Sequence, residues 1–64
     1  MDEIFVTRIV GMFADHFAPG DKTLAADATD HALVCLAGGA STSEAAAEGR
    51  HFIEQRTGLV PVPG

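Results

Sequence analysis

Leu36-Ala37-Gly38-Gly39-Ala40-Ser41-Thr42-Ser43-Glu44 is the stretch on which the fold turns. An apolar run ends there in two glycines, either of which can take the left-handed backbone that closes a helix without a Cβ penalty. Ser41 with Glu44 three residues on fits the capping box, in which each side chain satisfies the other residue's backbone N–H. Ser43 is a competing cap, with Glu44 then in the positive first turn. Ala45, Ala46 and Ala47 follow, and alanine is the best helix former. A stop and a start this close together read as a tight helix–helix connection.

Downstream, the helix is expected to run over about 42–57. Ala45, Ala46, Gly49, Phe52, Ile53 and the stem of Arg56 line one face. Glu48, Arg50, His51, Glu54 and Gln55 line the rest. The small residues allow close approach to a neighbour, with Phe52 and Ile53 as bulky anchors. Gly58 suits the position after the helix, and Arg56 suits its negative end. The tail from Leu59 to Gly64 reads as extended, because Pro61 and Pro63 bar a helix.

Upstream, residues 22–37 carry Asp21 as a candidate cap. Leu24, Ala28, His31, Ala32, Cys35 and Leu36 share one helical face, and Leu33 and Val34 make the last turns apolar almost all round. Ala32 to Leu36 fits a buried helix or a strand; periodicity does not separate them over so short a run. The helical character of Ala26 to His31 favours helix. Residues 3–17 hold the clearest period. Phe5, Val6, Ile9, Val10, Met12, Phe13 and Phe17 fall in one arc, and Thr7, Arg8, Gly11, Ala14 and Asp15 lie opposite. Ile4 to Val10 is also rich in strand formers, but the period continues through Phe17. Ala18-Pro19-Gly20-Asp21 ends the helix in a turn. The expectation is a single all-α domain over 1–64, a compact three-helix bundle with an extended proline-containing tail.

Composition narrows the function classes. With 47% hydrophobic residues the chain has the make-up of a globular domain. At 64 residues it stands near the size limit for independent folding. One cysteine excludes an internal disulfide, so association with a partner or a second copy is the cheapest staple left. The net charge of −5, with Arg8, Lys22, Arg50 and Arg56 the only cations, argues against nucleic acid and anionic membranes. Met1-Asp2-Glu3 is acidic where a secretory signal is basic, and no apolar run approaches a membrane span, which points to the cytoplasm.

Signals for chemistry are sparse. Asp27, His31 and Cys35 stand at i, i+4 and i+8, one stripe of a helix, and such side chains can ligate zinc. Genuine sites converge from several elements, however, and no paired Cys-x-x-Cys or His-x-x-x-His spacing is present. The ordinary reading makes Cys35 a small buried hydrophobe and His31 a half-buried polar residue. Cys35 with His16, His31 or His51 would be a nucleophilic pair, but a core position leaves a thiol inert. Gly38 to Thr42 has the glycines of a phosphate loop without its lysine. No catalytic residue, cofactor or metal is assigned.

Leu33, Leu36, Ala37, Gly39, Ser41, Glu44 and Ala46 resemble the first half of helix-turn-helix domains of the LuxR-type and terminase small-subunit kinds, which read Leu-x-x-Leu-Ala-x-Gly-x-Ser-x-x-Glu-x-Ala. The resemblance implies a DNA-binding regulator. After the scaffold helix those families turn into a basic recognition helix; here the chain continues as Glu48-Gly49-Arg50-His51-Phe52-Ile53, where Gly49 is the one residue that could break it. The primary expectation is a non-enzymatic protein–protein interaction module, an accessory or regulatory subunit that forms a homodimer. Its interface would comprise Phe5, Ile9, Met12, Phe13 and Phe17 of helix 1 with Leu59 and Val60 of the tail. A degenerate helix-turn-helix regulator is the alternative.

Overall fold

The computed structural model describes residues 2–58. Three helices of sixteen residues follow one another: α1 (Asp2–Phe17), α2 (Lys22–Ala37) and α3 (Thr42–Thr57). No strand occurs among the described residues. Ala32 to Leu36 is helix: once Lys22 to His31 is helical, each further residue adds a hydrogen bond at no new nucleation cost.

Caps explain where α2 and α3 begin. The Leu24 N–H donates to Asp21 Oδ1 at 3.0 Å, opening α2. At α3 both halves of the box are closed: Glu44 N–H donates to Ser41 Oγ and Ser41 N–H to Glu44 Oε1, each at 3.2 Å. The second of these bonds, and then the hydroxyl, hold the Glu44 carboxyl below its ordinary value of 4.5. Between α2 and α3 the chain turns at Gly39, φ +109°, letting the Gly39 and Ala40 N–H groups donate to the Leu36 and Cys35 carbonyls, both at 3.1 Å. Ser41→Ala should cost about 1 kcal/mol in a urea melt at neutral pH. A depressed folded-state pKa adds stability above the unfolded value and loses it as pH falls through the folded one. Acidification below about 4.5 should therefore weaken the wild type, and Glu44→Gln should flatten that limb.

The core is built from small residues. Val6, Val10, Ala14, Leu24, Ala28, Ala32, Ala45 and Ile53 form it, with Phe13, Phe17, Leu33, Leu36 and Phe52 closing its rim. Gly49 sits at the α1–α3 crossing, where a Cβ would stand 2.5 Å from a Val10 methyl and 3.3 Å from Ala32 Cβ. Helices this close leave no room for a phenylalanine at the centre.

That closeness corrects the expected arc of helix 1. The buried line is Val6, Val10 and Ala14, so Ala14 faces inward while Phe5 and Met12 face out. The helix is turned by roughly one residue's step, because fit at a narrow crossing outweighs bulk. In α2, Val34 is 71% exposed and His31 is exposed, so its last turns are not buried all round. In α3, Glu54 is buried although it was expected on the polar face; its carboxylate meets Arg50 Nε at 3.4 Å. The helices form a slab with principal extents of 30 × 29 × 13 Å, so no core residue lies far from solvent.

Candidate functional site

Two features stand out from the fold, the outer face of α1 and a mixed polar cluster between α2 and α3. On α1, Ile4 is 62%, Phe5 51% and Met12 71% exposed. Phe5, Ile9 and Met12 are spaced i, i+4 and i+7 and so share one stripe, with Ile9 half-buried beneath it. Arg8 and Asp15 flank the stripe with charge. Of the expected interface, Phe13 and Phe17 instead belong to the bundle: both pack on the core. The Arg50 guanidinium stands 5.8 Å from the Phe13 ring, and His16 meets Phe17 edge-on at 5.0 Å. Leu59 and Val60 lie outside the described residues.

The second feature joins residues from two helices. Ligand atoms of His31, Cys35 and Glu48 all lie within 4.8 Å of one another. Cys35 is half-buried and packs against the edge of the core, so it is less enclosed than the buried hydrophobe of the ordinary sequence reading. Asp27 is not part of this cluster and lines a shallow depression with Arg56 and Thr57. The His31 ring stacks on Phe52 at 5.4 Å with an interplanar angle of 29°. Arg56 stands over the same Phe52 ring at 4.7 Å, a cation–π contact. His51, the other histidine of this side, is within 3.1 Å of Gln55 Nε2.

The Glu48 contribution could not be read from a helical wheel, because it depends on how α3 sits against α2. Residues 48 and 49 are neighbours, so the close approach at Gly49 also fixes where Glu48 emerges. Among the described residues no helix is long and apolar enough to cross a membrane. No protein-family model, curated protein or solved structure matches the chain.

Proposed function

We propose that the protein is a non-enzymatic interaction module of the cytoplasm, an accessory or regulatory subunit that self-associates through the outer face of α1. The observation that carries this reading is the stripe of exposed Phe5 and Met12 beside half-buried Ile9. Contiguous apolar surface of this kind marks partner sites more often than it marks idle surface. The thin slab supports the same reading, since three helices with an alanine-rich centre bury little apolar area per residue. An antiparallel two-fold pairing of α1 would set Phe5 of one copy against Met12 of the other, an aromatic–thioether contact.

The DNA-binding reading draws little support. Of the four cations, Arg50 is engaged with Glu54 and Arg56 lies over Phe52. Helix α3 runs unbroken through Gly49 to Thr57, with no turn where a recognition helix would begin.

Sedimentation and light scattering across micromolar concentrations should show a dimer whose melting temperature rises with concentration. Phe5→Glu and Met12→Glu should abolish the dimer while leaving helicity intact, since both side chains already face solvent in the single chain. A monomer at every concentration, with a constant melting temperature, would refute self-association.

A further inference from the structure

We propose that His31, Cys35 and Glu48 bind one divalent transition-metal ion of the zinc class, clipping α2 to α3. This site is separate from the α1 face and does not depend on association. Its donors come from two elements: His31 and Cys35 stand one turn apart on α2, and Glu48 projects from α3 beside them. That is the convergence a single-helix stripe lacks.

Geometry favours the ion. Zinc held tetrahedrally at about 2.0–2.3 Å sets its ligand atoms roughly 3.5 Å apart. The three ligand atoms here are already within 4.8 Å of one another, so side-chain rotation of about an ångström closes the site without backbone movement. The backbone beside the site is closely packed: Gly49, next to Glu48, sits so near Val10 and Ala32 that even a Cβ would not fit. The His31 ring is already packed on Phe52, which reduces the rotamer entropy lost on binding.

The donor set selects the metal class. One imidazole nitrogen, one thiolate and one carboxylate suit zinc or cobalt(II); calcium and magnesium require oxygen ligands. Binding displaces the thiol proton to solvent and leaves a neutral centre, two anionic donors balancing the divalent charge. Three protein ligands leave the fourth tetrahedral position for water or an external ligand. Tying two helices of so small a core is a role metals commonly fill in domains of this size.

Cobalt(II) titration of the reduced full chain, followed by zinc displacement, tests the assignment. The expected result is one equivalent bound, with a thiolate-to-cobalt charge-transfer band and the strong visible bands of four-coordination. Zinc at a hundredfold excess over its Kd should raise Tm by about 20 °C. Cys35→Ser should abolish the charge-transfer band. His31→Asn and Glu48→Gln should each weaken cobalt binding at least about tenfold, with circular dichroism unchanged. Asp27→Asn should bind as the parent does. A pale octahedral spectrum without thiolate character, or Cys35→Ser binding as tightly as the parent, would overturn the site. If Asp27→Asn weakened binding and Glu48→Gln did not, the metal would sit on α2 alone and the assignment of Glu48 would be wrong.

Discussion

Gly49→Ala is expected to destabilise the fold by about 2 kcal/mol, although the same change in an open helix stabilises it by about 1 kcal/mol. The added Cβ arrives 2.5 Å from a methyl of Val10 and 3.2 Å from its other methyl. Neither can swing aside cheaply, because valine in a helix is held in one dominant rotamer and Val10 is fully buried. Either α3 moves off α1 or Val10 adopts a strained rotamer, and both loosen the packing of Ala32. A domain of this length has roughly 3–10 kcal/mol of total stability, so the loss is a large share of it. The melting temperature should drop by about 15 °C. Gly11 is the internal control: a Cβ there meets nothing within 4 Å, so Gly11→Ala should gain about 1 kcal/mol. Val10→Ala should cost less in the Gly49→Ala background than in the wild type, the signature of a direct contact. Equal stability of Gly49→Ala and wild type would mean that α1 and α3 do not cross there.

The residues that made the fold legible are those whose effect is local. Ser41 and Glu44 mark the start of α3, Asp21 that of α2 and Gly58 the end of α3, each by bonding or backbone geometry within a few positions. The facing of α1 was less legible. A wheel weights Phe5, Met12 and Phe13 by their bulk, whereas the crossing admits only what fits beside Gly49, so Val6, Val10 and Ala14 take the centre. Glu54 was hidden for a related reason: a charged residue reads as exposed until a partner such as Arg50 one turn away covers it. The polar cluster was half visible. His31 and Cys35 share a stripe of α2 in any helical reading, but their third neighbour is set by the register between helices. The helical stripe therefore supplied Asp27 as the third member, whereas the packing of α3 on α2 brings Glu48 there and leaves Asp27 out.

Ile53→Ala should be the most damaging truncation, at about 3 kcal/mol. Among the described residues Ile53 is the largest fully buried side chain, with 0% exposure, and it faces a core made mainly of alanine and valine. Ala28, Ala32 and Ala45 cannot expand into the cavity, and the close approach at Gly49 prevents the helices from collapsing further. The loss should thus include most of the cavity term as well as the transfer term. Ile53→Val should cost about 1 kcal/mol, and exposed Gln55→Ala should stay within about 0.5 kcal/mol of wild type. Urea melts of the three variants check the order, and an Ile53→Ala protein as stable as Ile53→Val would place residue 53 outside the core. The same variant also reports on association. If α1 faces pair, folding of Ile53→Ala is coupled to dimerisation, and its folded fraction should rise steeply with protein concentration. Adding Met12→Glu should remove that dependence, since Met12 stands outside the core and contributes to the pairing face alone. A folded fraction of Ile53→Ala that ignores concentration would separate the stability of the bundle from any contact between copies, and the self-association reading would fall with it.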